Sequence, residues 1–226
     1  MQAIKNDTDV VQLSEQEGID CDASSSGCDG GTVNNYWKMS ARIGSQAAQT
    51  YQYEAKNGTC RNQTDKRIAS KAIERSVKFH KGTSRMKKAL QKGPMSAAVA
   101  AGNDCWRYYE SGILSKENNC PTKIDHNVVI VGYEESGDKP YWIIQNSWGE
   151  QWGQNGFIHI AVEKGKGTSS MNTWIATMKV EEGYPKVEPP RPPFDPDECD
   201  HDETLNPLGP HECSMNSECK GERTCS

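Results

Sequence analysis

Long apolar runs are missing from this sequence. The longest, around Pro94 to Ala101 and Asn127 to Val131, fall far short of the roughly 20 residues that cross a bilayer, so no membrane association is expected. No cysteine stands in a Cys-x-x-Cys pair, which removes the usual zinc and thioredoxin-type arrangements and leaves no metal site to expect. A large excess of charge of one sign is missing as well. The formal net charge is only -5, and apolar residues break the basic run from Arg61 to Lys92 without an aromatic platform or helix-turn-helix pattern, so nucleic acid is not an expected partner. No secretory leader is visible at the start of the sequence either: Met1 is followed by Gln2, Lys5, Asn6 and Asp7, not by an apolar core.

What is present points to an oxidising compartment. Nine cysteines in 226 residues are too many for an ordinary cytosolic chain. Sequons at Asn6, Asn57 and Asn62 agree with the secretory route. A disulfide-type sequence without a leader leads to the expectation that the true amino terminus is missing.

The first eighty residues read as helix and loop. Ser14 and Glu17 have capping-box spacing, the Gly27-Cys28-Asp29-Gly30-Gly31 run is a turn, and Val33, Tyr36, Trp37, Met39 and Ile43 recur at helical spacing. Ser84 to Gln91 reads as a short helix stopped by Gly93-Pro94. Met95 to Ala100, Asn127 to Tyr133, Tyr141 to Ile144 and Phe157 to Ala161 then read as strands between turns. Helices followed by strands predict an α+β chain with an antiparallel sheet. Six prolines between Tyr184 and Asp197 mark a semi-rigid spacer. The expected organisation is therefore a main domain over 1–184, a linker over 185–198, and a small disulfide-held module over 199–226 carrying Cys199, Cys213, Cys219 and Cys225.

Chemistry concentrates in Ile124-Asp125-His126-Asn127 and Gln145-Asn146-Ser147-Trp148-Gly149 through Trp152-Gly153. His126 opens one strand and Asn146 ends another. A neutral amide that accepts the proton of one imidazole nitrogen fixes the tautomer and aims the other nitrogen at a thiol. Trp148 and Trp152 would shield that bond from water, which strengthens it. Asp125 is a rival orienter, but adjacent side chains on one strand point to opposite faces, which favours Asn146.

"LSEQEGIDC...GCDGG", "KIDHNVVIVGY" and "YWIIQNSWGEQWGQNGFIHI" together resemble the papain family of cysteine peptidases, its cathepsin L and F branch more than cathepsin B. The resemblance runs from Leu13 to about Val180 and implies a two-lobed fold with a cleft between a helical and a β-rich lobe. It implies that His126 is the general base, Asn146 its orienting amide and Trp148 the indole over the pair. Gly31 matches the residue that holds extended substrate by its backbone. Val33, Ala98, Ile124 and Ala176 match the pocket for the second residue before the scissile bond; being apolar, they imply a hydrophobic side chain there. No organic cofactor is implied. The implied partners are protein or peptide substrates, a propeptide and cystatin-like inhibitors, for a monomer in a lysosome-like compartment or outside the cell.

The family's nucleophile and oxyanion-hole glutamine stand more than 20 residues ahead of the motif at Leu13, so neither is expected in this chain, the helical lobe is expected to be incomplete, and the fragment is expected to be inactive. The resemblance pairs Cys21 with Cys60 and leaves Cys28 without its usual partner. Met171 stands where the partner of Cys120 is expected, so Cys105 is the candidate partner instead. Asn127, where the family has a small residue, departs from the pattern and keeps open a non-catalytic paralogue that binds peptides or proteins. No paired-histidine insertion is found between Gly31 and Cys60, which favours an endopeptidase over an exopeptidase.

Overall fold

The computed structural model describes residues 10–61 and 68–182. The expected linker and cysteine module, with the sequons at Asn6 and Asn62, lie outside the described residues.

Two helices build the first part. Helix α1 (Glu15–Cys21) starts at Ser14, whose side chain accepts from Glu17 N–H. Only this half of the capping box forms. The Glu17 carboxylate turns away and accepts instead from Gln46 N–H at 2.8 Å and Gln46 Nε2 at 3.3 Å. The cap is buried too, and Ser14 N–H, the donor the carboxylate would need there, is already given to Gln46 O at 2.9 Å. Helix α2 (Val33–Ile43) is capped by Thr32 and stopped at Gly44, where φ of 81° suits a residue without Cβ. The short strands β1 (Ser45–Gln46) and β2 (Ile68–Ser70) follow and pair with each other.

The apolar cluster here is small: Cys21, Met39 and Tyr51 are buried, with Tyr36 and Ile43 packed against them. Polar bonds and a disulfide therefore carry much of the cohesion. Gln16 donates to Lys56 O and accepts from Glu54 N–H, Asp20 accepts from Tyr51 Oη and Gly58 N–H, and Cys21 is bridged to Cys60.

Burial pushes the Glu17 carboxyl above its ordinary value, and the donations from Gln46 pull it back only in part. An acid whose folded pKa is raised holds its proton more tightly folded than unfolded. Its contribution is fully present below the unfolded value and is lost as pH rises through the folded one. Glu17→Gln keeps an acceptor for the Gln46 main chain without a buried charge, so it is expected to stabilise the protein at neutral pH by about 1 kcal/mol. That gain should shrink towards zero in acid, read by urea melts at both pH values; a less stable variant at neutral pH would refute it.

The second part is a seven-stranded sheet. After β3 (Lys78–Phe79) and helix α3 (Thr83–Leu90) come β4 (Met95–Val99), the short helix α4 (Asp104–Arg107), β5 (Ile113–Leu114), β6 (His126–Glu134), β7 (Tyr141–Gln145), β8 (Phe157–Ala161) and β9 (Trp174–Thr177). Their order across the sheet is β3-β9-β4-β6-β7-β8-β5. All neighbours are antiparallel except β5 and β8, which run parallel, so the fully antiparallel expectation is corrected at one edge. The chain leaves β5, crosses to the centre to make β6 and β7, and returns as β8; such a crossover permits parallel pairing.

Alternation along the strands builds the core. Met95, Ala97 and Val99 of β4 face inward with Val128 and Ile130 of β6, Trp142 and Ile144 of β7, and Ile158 and Ile160 of β8. This cluster makes the sheet a rigid platform for groups at its end.

Candidate active site

The antiparallel register of β6 and β7 pairs Val129 with Gln145, which brings the first residue of β6 beside the residue just past β7. His126 and Asn146 therefore meet: His126 Nε2 lies 2.8 Å from Asn146 Oδ1. The same oxygen accepts from Ser147 N–H at 2.9 Å. A main-chain N–H can only donate, so the amide atom facing it must be the oxygen. An oxygen can only accept from the imidazole, so a neutral His126 carries its proton on Nε2 and keeps the Nδ1 lone pair free. One backbone amide thus fixes the Asn146 rotamer, the histidine tautomer and the nitrogen able to act as a base. Asn146 Nδ2 is buried and has no partner among the described residues.

Asp125 is committed elsewhere. Its Oδ1 accepts from Ala101 N–H at 2.8 Å and Gly102 N–H at 3.1 Å, anchoring the loop after β4.

Aromatic rings enclose the pair. The Trp148 ring lies 5.3 Å from that of His126, tilted by 33°, with Trp148 itself 40% exposed. Trp152 stands one layer away: its ring meets Trp148 at 5.1 Å and stacks on Trp106 at 6.0 Å. Sequence reasoning missed Trp106, which is fully buried under the site. Its ring meets that of His126 edge-on at 6.5 Å and that of Trp148 at 6.2 Å. Its Nε1 donates to Ser169 Oγ at 2.9 Å, and its carbonyl accepts from Trp152 Nε1 at 2.8 Å. Trp106 lies on α4, a four-residue helix without periodicity, beside the Cys105 end of the Cys105–Cys120 disulfide. Only its position between two half-cystines of one loop could have marked it.

His126 and Asn127 point to opposite faces of β6. His126 lies opposite Val99 on the core side, whereas Asn127 pairs with Ala98, and Ala98 with Trp174 across β9. Ala176 lies on the same face one row along, opposite Ser96. The structure thus brings Ala98 and Ala176 together on the outer face of the sheet, with Ile124 half-buried just before β6. Asn127 is exposed in the Ala98 row, and its side chain makes no hydrogen bond among the described residues. Its polar group stands in that row, with no side-chain hydrogen bond to a loop among the described residues. Gly31 and Val33 belong to the helical part, Gly31 exposed before the Thr32 cap and Val33 half-buried at the first turn of α2. A Cβ on Gly31 would come within 2.5 Å of Ser25 Oγ, so the close approach of that turn requires glycine. Cys28 is the free cysteine among the described residues, exposed on the same turn.

A base with a fixed tautomer, an amide orienter and an indole cover can take a proton from an acidic nucleophile and return it to a leaving group. Comparison with known proteins identifies the family. The sequence model of the papain family cysteine proteases matches residues 1–179. Cysteine endopeptidase Rep1 of Oryza sativa subsp. japonica is 38% identical over 162 residues, 69% of this chain and 43% of the relative. The probable cysteine protease RD21B of Arabidopsis thaliana is 34% identical over 85% of this chain and 42% of its own. The chain thus spans less than half the length of these curated relatives. The bromelain protease of Ananas comosus, solved in complex with the E64 inhibitor, superposes with a TM-score of 0.69 at 30% identity, covering 80% of this chain and 83% of that one. With a family match over most of its length, two motifs that meet in space and a shared fold, the chain belongs to the papain family of cysteine proteases.

Proposed function

We propose that this chain supplies the base and the orienter of a cysteine-type endopeptidase. The observation that carries the reading is the pair of bonds on Asn146 Oδ1, from His126 Nε2 and Ser147 N–H, which leaves Nδ1 as the basic nitrogen. His126 takes the proton of a cysteine thiol, and the thiolate attacks the peptide carbonyl carbon. The imidazolium then protonates the leaving amine as the C–N bond breaks. Water, deprotonated by the same nitrogen, hydrolyses the thioester. Asn146 holds the ring through both charge states, and Trp148 limits the water that competes for that bond.

Cys28 does not fill the role of nucleophile: it lies on the Gly27–Asp29 turn of the helical part, its N–H bonded to Asn57. No hydrogen bond joins a cysteine to His126 among the described residues. The thiol in this reading comes from outside residues 1–226, and these residues alone turn over no peptide. Completing the chain with a relative's nucleophile-bearing segment ahead of Leu13 is expected to give cleavage of an internally quenched peptide blocked at both ends. Turnover by residues 1–226 alone, or binding without cleavage by the completed form, would contradict this; the latter outcome fits a non-catalytic peptide-binding relative.

Gly31 holds the substrate backbone in this reading, and Val33, Ala98, Ile124 and Ala176 take a hydrophobic side chain at the second position before the scissile bond. Asn127 narrows that pocket with an unpaired amide that a bound apolar side chain must desolvate, a cost of about 1–3 kcal/mol. In the completed form, Asn127→Ala is expected to raise kcat/KM for a peptide with Phe at that position by roughly tenfold. Unchanged kcat/KM would place Asn127 outside the pocket. The two disulfides and the family accord with a lysosome-like or extracellular location. No helix among the described residues is long and apolar enough to cross a membrane.

A further inference from the structure

We propose that Asn57 carries an N-linked glycan. Asn57-Gly58-Thr59 is a sequon, and all three residues are exposed on irregular backbone between Tyr51 and Cys60, the kind of surface loop that such sugars occupy. The decisive feature is the direction of the amide. Asn57 Oδ1 accepts from Cys28 N–H at 2.7 Å. Because that N–H can only donate, the oxygen must face it, and Nδ2, the atom that takes the sugar, points away with no hydrogen bond among the described residues. Thr59, whose hydroxyl the transfer enzyme reads, has no side-chain bond there either.

The group transfer leaves the loop's own bonds in place. The donor is a polyprenyl-pyrophosphate-linked oligosaccharide. Its anomeric C1–O bond breaks, the pyrophosphate leaves with the electron pair, C1–Nδ2 forms, and Nδ2 loses one proton to a base of the transfer enzyme. The product remains an amide, so Oδ1 still accepts from Cys28 N–H. Around it, Gly58 N–H stays on Asp20 Oδ1 at 2.9 Å and Lys56 O on Gln16 Nε2 at 2.7 Å, so nothing must unfold to accommodate the sugar. The Cys21–Cys60 disulfide closes this loop, and it forms in the same oxidising compartment where such glycans are added. The first sugar therefore stands beside the Gly27–Asp29 turn and the exposed Cys28.

Cell-free translation of residues 1–226 behind a secretory leader, with microsomal membranes, tests this without requiring secretion. The expected result is a glycosidase-sensitive shift that loses one step in Asn57→Gln and the same step in Thr59→Ala, and keeps it in Thr59→Ser. Peptide mapping of the wild-type product after enzymatic deglycosylation in heavy-oxygen water should mark residue 57. An unmarked residue 57, with a shift unchanged by Asn57→Gln or no shift at all, would overturn the proposal.

Discussion

His126→Ala is expected to lower kcat/KM of the thiol-completed enzyme by about 10^2 to 10^4-fold, the range supplied by a positioned general acid and base. Among the described residues nothing else replaces it: Asp125 is spent on Ala101 and Gly102 N–H, and no other imidazole there has its contacts with Asn146 and Trp148. Asn146→Ala should act through the ring it holds. Losing a hydrogen bond to a group that becomes charged during the reaction costs about 1.5–3 kcal/mol, or roughly 10 to 150-fold in rate. Most of that loss should fall on kcat, because the bond matters most when His126 is an imidazolium. Steady-state assays with the blocked internally quenched peptide separate the cases. A His126→Ala enzyme within tenfold of the parent would remove the histidine from the chemistry.

The second large effect is structural. Trp106 is fully buried, packs against Trp152, Trp148 and His126, donates through its side chain to Ser169, and accepts at its carbonyl from Trp152 Nε1 and Tyr109 N–H. Trp106→Ala is expected to cost about 3–5 kcal/mol, the range for removing a large aromatic from a packed core. For a chain of this size that lowers Tm by on the order of 10 °C. The loss should exceed that of Trp148→Ala, since Trp148 is 40% exposed and already pays part of its hydration cost in the native state. Melts followed by far-ultraviolet circular dichroism measure both, and a Trp106→Ala variant within 1 kcal/mol of the parent would show that the indole stack does not support the site.

The contrast between these two residues shows where sequence reasoning reached. His126, Asn146 and Trp148 sit in motifs whose residue types announce chemistry, and their strands alternate strongly enough to set inward and outward faces. The four main strands were legible for the same reason, within a residue or two at their ends. Trp106 carried no such mark: it lies on a helix too short to show a period, and its neighbours come from segments far along the chain. The parallel pairing of β5 with β8 escaped for a related cause, since Ile113–Leu114 is too short to declare a strand and its direction depends on a crossover. Glu17 shows a local rule overridden by a distant partner. Its spacing from Ser14 fits a capping box, but the carboxylate is buried where two donors of Gln46 reach it. Strand alternation also decided Asn127, placing it opposite Ala98 once the β4–β6 register was known, which motif matching alone could not do.

The disulfides add a further constraint on the platform. Cys105–Cys120 closes a loop that contains Trp106, Tyr109 and β5, so the indole under His126 is tied to the sheet edge as well as to Ser169. Tyr109 extends this tie: its hydroxyl donates to Gly112 O and accepts from Gln154 Nε2 and His159 N–H. Burial raises the Tyr109 hydroxyl above its ordinary pKa, so it remains a donor throughout the physiological range. The site thus rests on a connected set of side chains whose order the apolar core imposes.

The most direct test is the protonation state of one ring. Nitrogen-15 shifts of His126 in the neutral imidazole, recorded on residues 1–226 and assigned with His126→Gln, should show a protonated, pyrrole-type Nε2 and an unprotonated, pyridine-type Nδ1, with that preference lost in Asn146→Ala. A proton resident on Nδ1, or two nitrogens averaging as they do in free imidazole, would contradict the account.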